Sequence, residues 1–482
     1  KEIVDISVFD NFKASAQVSF EFKKGLLEYA KLNLATPNVT ISDDRSFKNV
    51  NSVLWLKQNN VDTWSLWLEK GGFTLAQTKW DLNNVALKLS KTAEGSRWHG
   101  FMQDIDIQYI YSLIGELSEI PDSVSSIFED INPSGRLKNL SVIIQQDLDQ
   151  NNKVTVAGEL DGVSTVAYGA IPALSNVHGV IAANKDSGRV QFEGENMTVD
   201  FPLLYDLPFE FSTARGQVDW RLDDGKTRII GNGLSFEMLN IENIKGGFDL
   251  QLERPDSELD GSFELNIAIN NAELSTHSVL TPKVVPESLL TWLDDSLLGG
   301  TVDEAQFYFY DSVGENASNP TMQLYLEAQN AGLMYLPDWP IITNTNGKVL
   351  VDNNNVYGKF NSAESLGGKI SQSQFIYDSS STEIPRLWLT GDMSGDSDEL
   401  ISYFKFTPLK DVVSNTFEHW DMEGYHQSSL SLMVPLDADP KKIKVESKTQ
   451  LNKSYIVMNN VGVNIDKIFG QINYQTSKGL TS

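Results

Sequence analysis

Apolar and polar residues alternate along most of this chain. In Ser262-Phe263-Glu264-Leu265-Asn266-Ile267-Ala268-Ile269-Asn270 every odd position is apolar and nearly every even one is polar or small, which predicts a strand with one apolar face. The same period of two runs through Leu140-Ser141-Val142-Ile143-Ile144, Phe248-Asp249-Leu250-Gln251-Leu252, Met322-Gln323-Leu324-Tyr325-Leu326 and Leu430-Ser431-Leu432-Met433-Val434. Between such runs stand Asp223-Asp224-Gly225, Lys185-Asp186-Ser187-Gly188, Asp352-Asn353-Asn354-Asn355 and Ser477-Lys478-Gly479, turn sequences that bring the next strand back antiparallel. The pattern predicts a mostly antiparallel sheet.

Helical spacing is confined to a few places. Ile110, Leu113, Ile114 and Leu117, then Val124, Ile127, Phe128 and Ile131, follow a three-four spacing that Pro121 splits. A second helix opens at Pro286, carries Leu289, Leu290, Leu293 and Leu297, and closes at Gly299-Gly300. A third begins at Asp396-Ser397-Asp398 and meets Pro408. Helical insertions are therefore expected near 104–131, 286–298 and 397–420. They are too few to cover so much sheet, so the sheet must curl until its apolar face looks at itself. The expected fold is mainly β: a long curled antiparallel sheet forming an open hydrophobic groove, with a few short helices.

A weak repeat runs through the chain, in which Gly179, Gly216, Gly347 and Gly470 each precede an alternating run. Their spacings of 37, 131 and 123 residues are too uneven for the blades of a propeller. The last hairpin stops at Leu480-Thr481-Ser482, so the chain is expected to continue in a longer protein.

Charge and chemistry narrow the function. With 38 basic and 65 acidic side chains the net charge is −27, which argues against nucleic acid as a partner. Cysteine is absent, which excludes a disulfide framework and thiolate metal sites. Among the five histidines, His419 and His426 flank Asp421 and Glu423, a spacing more typical of a solvated loop than of a metal site. The carboxylate pairs Asp223-Asp224 and Asp294-Asp295 sit at turn or helix positions where solvation explains them. No nucleophile elbow, phosphate loop or dinucleotide fingerprint is present. Catalytic residues, metal and cofactor are all expected to be none, and the protein is not expected to be an enzyme.

An open trough with an apolar floor suits acyl chains. The residues expected to line it are Val218, Trp220, Leu250, Leu252, Phe263, Leu265, Ile267, Ile269, Leu324, Leu326, Val349, Val351, Leu430 and Leu432. For each of them the competing expectation is plain core packing, and a slip of one residue would turn a whole strand over. Trp64, Trp67, Trp220, Trp292 and Trp388 fall inside apolar patterns, which favours burial or a groove over an exposed platform.

Several blocks resemble the YhdP branch of the AsmA-like family. They are the segment from Leu280-Thr281-Pro282-Lys283 through Trp292-Leu293 to Gly299-Gly300-Thr301-Val302; Met334-Tyr335-Leu336-Pro337-Asp338-Trp339-Pro340; Ile131-Asn132-Pro133-Ser134-Gly135-Arg136-Leu137; Phe201-Pro202-Leu203-Leu204; and Leu432-Met433-Val434-Pro435-Leu436. The resemblance covers 98–482 as one continuous β-groove, while 1–97 reads as an N-terminal β segment without a placed motif. It implies a bridge-like lipid transfer protein of the Gram-negative envelope. Such a protein conducts phospholipid across the periplasm between inner and outer membrane and serves outer membrane biogenesis. It would be anchored to the inner membrane through parts outside this chain, with envelope protein partners at the groove ends. The alternatives are a carbohydrate-binding or adhesin-type all-β protein, and an envelope scaffold without lipid cargo.

Overall fold

The structure, a computed structural model, describes residues 15–42, 45–75, 78–109, 129–148, 152–169, 171–223, 226–253, 261–313, 320–336, 338–379, 384–436 and 442–481. Most of the helical pattern expected over 110–131 falls outside the described residues. The strands form an open antiparallel sheet of 24, not closed into a barrel. By compactness the chain divides into one unit of Lys1–Pro202 with Pro208–Ile229 and another of Leu203–Leu207 with Ile230–Ser482.

The first unit holds β1 (Ser15–Lys23), β2 (Leu26–Ser42), β3 (Arg45–Asn60), β4 (Thr63–Leu75), β5 (Thr78–Thr92), β6 (Gly95–Asp106), β7 (Ser134–Asp147), β8 (Asn152–Thr165), β9 (Ala173–Asn184), β10 (Ser187–Asp200) and β11 (Phe209–Asp223). Each pairs antiparallel with the next. Strand β12 (Lys226–Met238) begins in this unit and passes into the second.

The second unit continues with β13 (Ile241–Glu253), β14 (Gly261–Glu273), β15 (Thr301–Val313), β16 (Thr321–Leu333), β17 (Ile342–Asp352), β18 (Asn355–Ser365), β19 (Gly368–Asp378), β20 (Arg386–Asp396), β21 (Trp420–Pro435), β22 (Lys444–Met458), β23 (Val463–Gln475) and β24 (Gly479–Thr481). From β13 onward each again pairs with its successor. Its helices lie in the long connections: α1 (His277–Leu280) and α2 (Glu287–Ser296) between β14 and β15, α3 (Ser397–Phe406) and α4 (Leu409–Val412) between β20 and β21. A capping box between Asp396 and Glu399 starts α3, while Pro286 opens α2. In an antiparallel meander alternate connections lie on the same rim, so one rim of this unit carries α1 to α4 and the Met334–Pro340 block.

Asparagines crease the sheet within each unit. Asn330 (φ 52°) and Asn344 (φ 50°) in the second unit, and Asn49 (φ 53°) and Asn139 (φ 50°) in the first, adopt the left-handed conformation that asparagine tolerates. The pairing register shifts at all four. Each is a bulge that adds local twist and switches which parity of residue faces inward. On β16 the inward residues are Leu324, Leu326 and Ala328 before the bulge, and Ala331 after it, where Ala331 packs with Val302 and Leu274.

Little of this sheet is covered. Two compact proteins of half this chain's mass would together expose roughly 21,500 Å². The chain exposes 29,692 Å².

Candidate functional site

Residues directly opposite each other in an antiparallel pair share a face, so the register maps the apolar side of each unit. In the second unit Ile267 stands opposite Phe307, Phe307 opposite Leu324, Leu324 opposite Val351 and Val351 opposite Val356. The neighbouring row runs from Ile269 through Ala305, Leu326 and Val349 to Gly358, then through Phe375 and Leu389 to Leu432 and Val445. Leu265 stands opposite Phe248 and Phe309, Leu250 opposite Phe263, and Leu430 opposite Gly391. Leu252 follows Leu250 by two residues on the same side. All twelve lining residues expected in this unit thus fall on one face.

The first unit repeats the arrangement. Val218 stands opposite Val190, Val190 opposite Ile181 and Ile181 opposite Gly158, while Trp220 stands opposite Gly188. On the earlier strands Leu32, Leu54, Leu68, Val85 and Met102 form a comparable row. All of these residues except Met102 lie within 1–97, where the sequence offered no motif.

Exposure separates an open face from a packed core. Of the fourteen expected lining residues, Ile269 (8%) and Leu432 (5%) are buried and Leu252 (37%) is exposed; the other eleven are half-buried. Half-burial at these eleven positions means that neighbouring side chains cover the flanks and no second layer fully covers the tops there. The ion pairs Lys348 to Glu327 (3.0 Å) and Arg189 to Asp219 stand on positions of the opposite parity. Hydrogen bonding to Tyr325 and then to Glu327 holds the Lys348 ammonium above its ordinary range.

At β20 to β22 the apolar face is covered. Ile401 and Phe404 of α3, Leu409 of α4, and Val413 and Phe417 beyond it pack in one core with Leu432, Val434, Val445 and Leu451 of the sheet. Leu387, Leu389 and Leu430 lie against the same core. This connection is therefore seated on the apolar face as a lid. Two of the blocks noted in the sequence meet beside it: Trp292 of α2 donates its indole N–H to the Tyr335 carbonyl at 3.3 Å, and Tyr335 packs on Trp339 at 5.9 Å between ring centroids. Trp339 in turn touches the lid core.

Under the lid lies a polar cluster that alternation does not single out. His426 is fully enclosed, its Nδ1 is 2.9 Å from Ser428 Oγ, and Ser428 is 2.9 Å from Thr449. The His426 Nε2 has no hydrogen-bond partner among the described residues. Burial pushes the imidazole below its ordinary value, with Asp396 acting in the opposite sense. His426 is thus a neutral core group, separate from His419. Among the described residues no group of three or more potential ligands is arranged to hold a metal ion.

The tryptophans depart from expectation. Trp64 and Trp220 are half-buried on the apolar face, but Trp67 (46%), Trp292 (42%) and Trp388 (44%) are exposed. Trp67 and Trp388 have the opposite parity to Leu66 and Leu389, so their strands present them on the other side of the sheet. Trp67 stacks on Trp55 at 6.5 Å, with the Lys31 ammonium 4.5 Å above Trp55. Position in an apolar stretch does not fix the face when both parities are apolar.

The family described as YhdP protein matches residues 7–482, including most of the N-terminal region. The intermembrane phospholipid transporter YhdP of Escherichia coli (strain K12) is 18% identical over 350 residues, which is 70% of this chain and 26% of that protein. The chain thus spans about a quarter of the length of that relative. No solved structure matches. With that match over residues 7–482, this chain belongs to the YhdP protein family.

Proposed function

We propose that this chain is a section of a bridge-like lipid transfer protein, and that its apolar face conducts phospholipid acyl chains between the inner and outer membranes. The observation that carries this reading is the set of apolar cross-strand rows in each unit, half-exposed over most of their length outside the covered strands β20 to β22. Each methylene moved out of water gains about 0.8 kcal/mol, so a tail of about 16 carbons faces a barrier near 13 kcal/mol in crossing an aqueous space alone. An apolar floor removes most of that barrier. Strands spaced about 4.8 Å apart repeat the same surface, so no single position traps the lipid and transfer proceeds by sliding, without chemistry. Headgroups would remain in water at the rim.

The place of action is the periplasm. Among the described residues no helix is long and apolar enough to cross a membrane. The name of the Escherichia coli relative supports phospholipid as cargo and bridging as the task. The exposed Trp67, stacked on the half-buried Trp55, favours a second reading, a sugar platform on the opposite face.

Native mass spectrometry of the purified chain separates the two. Phospholipid is expected to co-purify in more than one copy and to leave when the protein is delipidated. Bound glycan, or protein free of lipid, would contradict the conduit.

A further inference from the structure

Three glycines outside the weak repeat acquire a role once the face is known. Gly188, Gly231 and Gly358 lie beneath aromatic rings. A Cβ built on Gly358 would fall within the Phe375 ring, one on Gly188 within the Trp220 indole, and one on Gly231 within the Phe248 ring. For all three the nearest obstacles are ring atoms alone, and none has a left-handed φ, so the backbone itself would accept a side chain. Phe375 stands opposite Gly358, and Trp220 opposite Gly188. Each ring lies down across the neighbouring strand on the apolar face.

We infer that these glycines set the headroom of the acyl path, by letting bulky rings lie flat on the floor instead of standing in the lumen. The inference rests on the lipid reading above. A flat ring adds apolar surface while adding little height, which explains how a floor carrying Trp220, Phe248 and Phe375 can remain passable. The pairing of a bare glycine with a cross-strand aromatic also shields the glycine backbone from water. With a Cβ at position 358, Phe375 must leave. The Phe360 ring stands 5.5 Å away and Leu389 occupies the next place in the row, so the direction left is upward, off the floor.

The test compares wild type, Gly358→Ala, Phe375→Leu and the double variant, each loaded with a phospholipid bearing a fluorescent tail and each melted in parallel. Gly358→Ala is expected to keep the cooperative melt and to lose at least about twofold in bound lipid, because one forced rotamer blocks space without breaking the sheet. Adding Phe375→Leu is expected to restore loading, since the obstruction is the ring. Gly188→Ala with Trp220→Leu repeats the test in the first unit, and carries it alone if Gly358→Ala does not fold. Loading of the glycine variants at wild-type level, or a double variant no better than the single, overturns the inference. Wild type that takes up no lipid overturns the conduit reading itself, an outcome distinguishable because all variants then behave alike.

Discussion

Ile267→Asp is expected to abolish lipid pickup while leaving the sheet folded. Ile267 sits mid-row between Gly246 and Phe307 and is half-buried. In the empty protein a carboxylate there reaches water across the open face, so folding loses little beyond the side chain's own transfer energy. Once a tail lies on the floor, the same carboxylate loses that water without gaining a partner, at a cost of several kcal/mol. The fall in affinity is expected to exceed about tenfold, and a fluorescent-lipid titration reads it. Ile269→Asp, two residues along the same strand, has the opposite outcome. Ile269 is 8% exposed and packs with Ile241 and Ala272, so its charge is trapped in a core, and unfolding of this unit in milder urea is expected. If Ile267→Asp unfolds the protein just as readily, the middle of the sheet is core and not floor.

The lid region should behave as ordinary interior. Ile401→Ala and Leu432→Ala are each expected to cost about 2 to 4 kcal/mol in urea unfolding, because their sites are 2% and 5% exposed and leave cavities on truncation. Leu324→Ala, on the open part of the same face, is expected to cost about 1 kcal/mol, since it gives up only partial burial and leaves no enclosed void. Equal costs at Leu324 and Leu432 would mean that the face is covered throughout. On the proposed function the contrast matters, because a tail on this unit would find open floor at Leu324 and the helix-covered core at Leu432.

Much of this arrangement was readable in the chain because a period of two is a local property. Phe263, Leu265, Ile267 and Ile269 needed no partner to be assigned to one side, and Leu324 or Val349 could be assigned likewise. Their common face across strands was not readable, since it depends on register, and register is set by turns and bulges acting together. The left-handed asparagines illustrate the difficulty. Asn330 looks like any polar residue in a polar stretch, yet it reverses parity and turns Ala331 inward. Leu432 and Leu324 sit in equally clean alternation and differ only because α3 lies over one of them. That cover comes from the connection between β20 and β21, whose helical pattern was visible but whose resting place was not. Trp67 and Trp388 went astray for a related reason, since in their strands both parities are apolar and the pattern carries no sign. His426, expected with His419 in a solvated loop, is instead fully enclosed on β21, because its enclosure is a product of the lid.

The most direct test of the conduit is a map of where a lipid tail touches the protein. A phospholipid with a photoreactive group near the end of one tail, loaded into the full chain, irradiated and analysed by peptide mass spectrometry, is expected to mark the strands around Leu265, Leu324 and Val349 on their inward side. Leu432 and the outward residues Leu350 and Trp388 should stay unmarked. Labelling spread evenly over both faces, or concentrated on the outward aromatic residues, would contradict the account.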